Sequence, residues 1–185
     1  LAREDHAADG VVPGEFLHRR FDLGERLAIQ RIPHLGPPHR DPGTESHYDY
    51  GSRAGVWRLA RIFDAANVPV TVSAAAVALE LNPAVAEWMR EHDHDLLGHG
   101  WRWNEPWTMS REEERETIAR AVETYERVLG RPAEGWNSRS WPSENTRELL
   151  LEQGGFLYHS EGYSDDLPTT SRSGASRSWW CRTRR

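Results

Sequence analysis

Cysteine is almost missing from this chain: Cys181 is the only one in 185 residues. An internal disulfide framework is therefore excluded, as is a structural zinc site built from several cysteines. Lysine is absent altogether, and all 23 basic side chains are arginine. That bias fits a skewed coding sequence better than any binding role. No stretch of eighteen consecutive apolar residues occurs, which excludes a membrane-spanning helix. Residues 1–6 lack the apolar core of a signal peptide, so a cytoplasmic location is the expectation. The formal net charge of −6 argues against nonspecific nucleic-acid binding over the whole surface.

What is present suffices for one domain. At 185 residues and 37% apolar content, the chain can bury a real core but not two large ones. Its nine tryptophans are many for this length. Trp101, Trp103, Trp107 and Trp141 fall beside expected strand ends or in loops, where a pocket could use them.

Residues 1–40 read as a loop-rich segment of uncertain order, broken by glycine and proline without a sustained period. Only 21–23 and 27–29 could add short elements there. Beyond Tyr50, Ser52 is expected to cap a helix with Val56, Leu59, Ala60 and Phe63 on one stripe. A strand over 68–73 follows, and Asn82–Pro83 opens another helix. Leu96–Leu97 form a short strand leading to His99. Ser110 and Glu113 make a capping box for a helix carrying Ile118, Ala121, Val122, Tyr125 and Val128, stopped by Gly130. A weak strand over 133–136, a helix opened by Pro142–Ser143 and closed by Gly154–Gly155, and a strand over 156–158 complete the pattern. Such alternation predicts parallel strands joined by crossovers, an α/β fold with an open sheet or part of a barrel. Residues 169–185 have no acid and no period, and read as a basic tail, disordered or non-native.

The candidate chemistry collects after the strands. His99 stands between two glycines, where an imidazole could serve as acid–base catalyst, metal ligand or hydrogen-bond partner. His92 and His94 precede the same strand, at its opposite end, and read as structural. Arg139 follows the 133–136 strand, and its rigid fork could hold a carboxylate or a carbonyl oxygen. Glu161, Asp165 and Asp166 follow the last strand, where clustered acids could supply or orient a base. Glu112, Glu113, Glu114 and Glu116 suit the first turns of a helix and read as solvated. A metal centre needs three or four convergent ligands, and the position four residues after His99 is Trp103, which cannot coordinate zinc. A site using His99 with Glu161 or Asp165 stays open.

Taken together, residues 45–57, 68–73, 94–103, 135–147 and 155–168 resemble the polysaccharide deacetylase superfamily, the NodB-homology domain. Within it they look most like the branch of metal-independent allantoinases. The resemblance covers residues 41–168. It implies an incomplete or deformed (β/α) barrel and hydrolysis of a carbon–nitrogen bond other than a peptide bond. Metal-dependent members use an Asp–His–His triad with two ligands in a His-Ser/Thr-x-x-His motif. Here His99 matches the first histidine and Trp103 replaces the second, which favours the metal-independent branch. His159 stands where an aspartate is usual, and nothing in residues 1–40 matches the family's first strand with its general base.

On this resemblance His99, Arg139, Glu161 and Asp165 are the expected catalytic residues. Trp101, Trp103, Trp141 and Asp166 are the expected substrate contacts. The substrate would be a small ureide, a cyclic amide or an N-acetylated sugar, with no cofactor. A zinc-dependent polysaccharide or chito-oligosaccharide deacetylase and a non-catalytic, weakly binding remnant are the alternatives. Neither nucleic acid nor membrane is an expected partner, and a homo-oligomer stays open. The tail adds an expectation about its origin. A GC-rich back-translation from Pro168, read one base earlier, gives Tyr–Tyr–Val–Glu–Val–Gly and later Val–Val–Pro–Tyr–Thr, as the family would continue. A frameshift is therefore expected to have produced residues 169–185.

Overall fold

A computed structural model describes residues 19–23, 42–162, 169–173 and 177–181. Seven strands form one sheet in the order β1-β2-β3-β4-β5-β7-β6. They are β1 (Arg19–Leu23), β2 (Val70–Ala74), β3 (Asp95–Gly98), β4 (Gly135–Trp136), β5 (Tyr158–His159), β6 (Thr169–Ser173) and β7 (Arg177–Cys181). All neighbours run parallel except β6 and β7. The α/β class and parallel sheet agree with the alternation read from the sequence. Two strands lie in the segment expected to be a structureless tail, and β1 lies within the loop-rich segment. β1 joins the sheet through β2, and β7 through β5, while β6 pairs only with β7; pairings between strands far apart in sequence are not encoded in a local pattern.

The register fixes where chemistry can sit. Leu23, Ala74, Gly98, Trp136, His159 and Cys181 stand level across the sheet. The residues just beyond β3, β4 and β5 are His99, Asn137 and Ser160, so three consecutive inner strands deliver them to one edge. Ligands of open α/β sheets bind at that edge. Close approach here demands glycine. A Cβ at Gly98 would come 2.9 Å from the Trp136 ring, and one at Gly135 would overlap the ring of Tyr158.

The helices are α1 (Pro42–Tyr50), α2 (Val56–Ala66), α3 (Ala76–Leu81), α4 (Pro83–Glu91), α5 (Arg111–Leu129) and α6 (Thr146–Gln153). Ser52 does not cap a helix. A π-turn over Gly51–Gly55 joins α1 to α2 without a break, and the Ser52 hydroxyl donates to the Asp49 carbonyl at 3.2 Å. Val56, Ala60 and Phe63 are buried, whereas Leu59 is exposed. Asn82 leads Pro83 into α4 as expected, but its amide donates to the Ser52 carbonyl at 3.0 Å instead of capping.

Helix α5 is the longest and best specified. Ser110 and Glu113 close the capping box, and Gly130 ends the helix in the left-handed region at φ 72°. Such a cap contributes about 1 kcal/mol. Ile118, Ala121, Tyr125 and Leu129 are buried against the sheet. Each large apolar side chain so buried stabilises by about 1.5–3 kcal/mol.

Candidate active site

His99 begins where β3 stops. Its N–H is shared between the Ala74 carbonyl at 3.1 Å and the Tyr125 hydroxyl at 3.0 Å. The next residue, Gly100, turns the chain at φ 83°, a conformation glycine adopts without steric cost. The imidazole is 7% exposed, and its Nδ1 lies 2.7 Å from the Asn137 carbonyl oxygen. A carbonyl only accepts, so Nδ1 carries a hydrogen, and in the neutral form of the ring the lone pair is on Nε2.

Asn137 also donates its N–H to Gly98 at 2.8 Å and its side-chain amide to the Ser160 carbonyl at 3.1 Å. The next residue, Ser138, donates its N–H to the Glu161 carboxylate. Arg139 comes next: its guanidinium donates to the Trp103 carbonyl at 2.8 Å and lies 5.2 Å from that ring's centre. Residues 137 and 138 therefore hold the histidine and the acid, and residue 139 is the arginine that holds Trp103.

Trp103 completes the cluster. Its ring meets that of His99 edge-on, with centroids 6.5 Å apart, and that of Tyr48 on α1 at 5.5 Å. A small cleft, partly open to solvent, lies beside them, lined by His99, Arg102, Ser138, Arg139, Met109 and Glu114 among others. Trp101, Trp103, Trp141 and Glu161 are not among its lining residues. The Trp101 indole packs against Arg120 and Arg102, at 3.5 and 4.4 Å. Trp141 is 64% exposed. Asp165 and Asp166 lie outside the described residues.

Glu114 corrects the sequence reading. It is only 3% exposed, not solvated, and it accepts hydrogen bonds from the hydroxyls of Ser143 and Thr146. A signal for this was available: Glu114 precedes Ile118, Ala121 and Tyr125 at helical spacing, on the buried stripe. Asp22 is a second residue that sequence reasoning passed over. Backbone register sets it level with Ser73 and so with Leu97, at the same edge as His99.

His159 sits beneath Glu161, with Nδ1 4.0 Å from the carboxylate. Burial, reinforced by the charge of Arg147, holds its pKa below the ordinary imidazole value. The ring is thus neutral near pH 7, and the approach is a contact of a neutral ring with an acid. At the opposite end of β3, His94 is buried and stacks on His92, away from the cleft.

The His-Ser/Thr-x-x-His pattern is incomplete around His99. An indole nitrogen donates a hydrogen and offers no lone pair, and Trp103 stands where the second histidine of the metal-dependent pattern belongs. Among the described residues no group of three histidine, cysteine or acidic side chains is placed to hold an ion.

Comparison with known proteins agrees with this placement of strands and loops. The sequence profile of polysaccharide deacetylases matches residues 39–150. The chain belongs to the polysaccharide deacetylase family. A Schizosaccharomyces pombe protein described as a polysaccharide deacetylase is 33% identical over 148 residues, covering 74% of this chain and 45% of that protein. A Pseudomonas aeruginosa crystal structure described as a polysaccharide deacetylase superposes with a TM-score of 0.75 at 36% identity, covering 88% of this chain and 53% of the other. The crystal structure of Puue allantoinase superposes with a TM-score of 0.78 at 30% identity, covering 89% and 59%. The chain thus spans about half the length of these relatives. In this polysaccharide deacetylase domain no described helix is long and apolar enough to cross a membrane.

Proposed function

We propose that this domain hydrolyses a carbon–nitrogen amide bond in a small ureide or cyclic amide, in the manner of an allantoinase. The observation that carries the reading is the run Asn137–Ser138–Arg139, which holds the His99 ring and the Glu161 carboxylate and adds a guanidinium, beside a cleft lined by His99, Ser138 and Arg139. Likeness to an allantoinase at 30% identity supports it, as does an indole in place of the second metal-ligating histidine.

In this mechanism Glu161, or the Nε2 lone pair of His99, accepts a proton from water as its oxygen attacks the amide carbon. Arg139 polarises the carbonyl and stabilises the oxyanion. The C–N bond then breaks, and the proton passes to the departing nitrogen. In a cyclic amide the ring opens to a single product that carries the new carboxylate and the released N–H group; a linear amide gives a carboxylate and a separate amine. The Trp103 ring, edge-on to His99, is the proposed contact for a planar substrate ring. Asp22 on β1, and Asp165 and Asp166, which follow β5 in the sequence, are further candidates for a base.

N-acetylated sugars are the second reading, favoured by the names of the relatives from S. pombe and P. aeruginosa. The deciding assay offers the purified chain allantoin and N-acetylated chito-oligosaccharides, with and without chelator, beside its His99→Ala variant. Chelator-insensitive ureide hydrolysis lost in the variant supports the first reading. Zinc-dependent acetate release replaces it with the second. No turnover of either leaves a ligand-binding remnant.

A further inference from the structure

Helix α5 carries a tyrosine where its stripe needs only an apolar ring. Tyr125 is 0% exposed, among Ile118, Ala121 and Leu129 on the same helix. Phenylalanine would fill such a place equally well. A buried hydroxyl costs free energy unless it is bonded. Here its partners are backbone groups, one at the end of β2 and two at the turn that carries His99. The hydroxyl lies 2.6 Å from the Ala74 carbonyl and 3.0 Å from the Gly100 carbonyl, and it accepts the His99 N–H at 3.0 Å. Burial raises the phenol's pKa, so the group keeps its proton and can donate.

We propose that Tyr125 is a positioning residue for His99, its hydroxyl pinning the peptides on both sides of the imidazole across the gap where β2 and β3 end. The inference rests on the amide-hydrolase reading for its functional meaning. Two anchors then act on one side chain. The Asn137 carbonyl orients the ring through Nδ1, and the phenol fixes the backbone from which the ring hangs. Without the hydroxyl, the His99 N–H keeps only the Ala74 carbonyl at 3.1 Å, and the Gly100 carbonyl keeps only the Ala76 N–H at 2.9 Å. Geometry lost by fractions of an ångström lowers turnover more than binding.

The test uses the full chain and Tyr125→Phe, with Leu129→Val as a control that loosens the same helix without touching the turn. Amide exchange and the ¹⁵N signals of the His99 ring are read by NMR. Tyr125→Phe is expected to speed exchange at His99 and Gly100 about tenfold relative to Leu96 and Leu97, and to mix the ring's tautomers. Leu129→Val is expected to do neither. In the unaltered chain the phenolic proton should exchange slowly and show a cross-peak to the His99 amide. Where hydrolysis is measurable, kcat should fall about tenfold with KM within twofold. Unchanged His99 signals, a missing phenolic cross-peak, or a uniform loss of protection along β3 in both variants overturns the proposal. Absence of hydrolysis by the unaltered chain overturns the hydrolase reading alone, because the NMR outcome still decides the role of Tyr125.

Discussion

The carboxylate of Glu114 accepts the Ser143 hydroxyl at 2.5 Å, fastening the start of α5 to the loop that precedes α6. Thr146 donates to the other oxygen of the same carboxylate. This loop begins with Arg139 and its grip on Trp103.

Glu114→Gln is isosteric, but its amide nitrogen offers a donor where a hydroxyl already donates. We expect a loss of about 1–3 kcal/mol, the cost of leaving a buried polar group mismatched. Chemical denaturation measures it, and amide exchange should rise first at the start of α6. Equal stability of the two proteins would show that the carboxylate is dispensable.

Acid should destabilise the domain through its buried imidazoles. His94 is 4% exposed, and neither ring nitrogen has a hydrogen-bond partner. Burial, and then the neighbouring His92, lower its pKa from 6.5; Arg131 acts the same way, while Asp64 and Asp93 oppose. Below that value the unfolded chain binds the proton and the folded one resists it. Stability is therefore complete above about pH 6.5 and lost as pH falls through the depressed folded value. His159 adds in the same direction. Melting curves from pH 7.5 to pH 5 should show a falling Tm, with a shallower fall in His94→Phe. An identical slope in that variant would remove His94 from the account.

Gly135→Ala should be costly although it adds one methyl group. The new Cβ would overlap the Tyr158 ring on β5, and overpacking of this kind costs about 1–3 kcal/mol. A drop in Tm measures it. Tyr158→Ala in the same chain should relieve part of the added cost, because the clash partner is gone.

Arg139→Lys keeps the charge but loses the planar fork. The lysine cannot hold the Trp103 carbonyl and an oxyanion in one plane. On the proposed mechanism, kcat should drop by about 10²–10³-fold, as for removal of an oxyanion donor. Full activity in the lysine variant would mean that the charge alone suffices.

How far the sequence could be read depended on how local each signal was. Helix α5 was legible because its capping box, apolar stripe and terminal glycine all lie within its own span. His99 and Arg139 were legible because both follow strand ends, and the structure brings both to one cleft. The continuity of α1 and α2 was hidden, since Gly51 and Gly55 look like breakers and the π-turn absorbs them. Glu114 was hidden for a different reason: an acid in a first helical turn has a sufficient explanation in the dipole. Strand β6 pairs with β7, and β7 with β5, a relation that composition cannot carry.

One consequence of the Asn137–Ser138–Arg139 run concerns evolvability. Because adjacent residues grip the imidazole and the acid and supply the cation, inserting or deleting a single residue there would misplace all three at once. Selectivity for a new substrate would have to arise from the rim, around Arg102, Met109 and the β3–α5 loop, while the tripeptide stayed fixed in length.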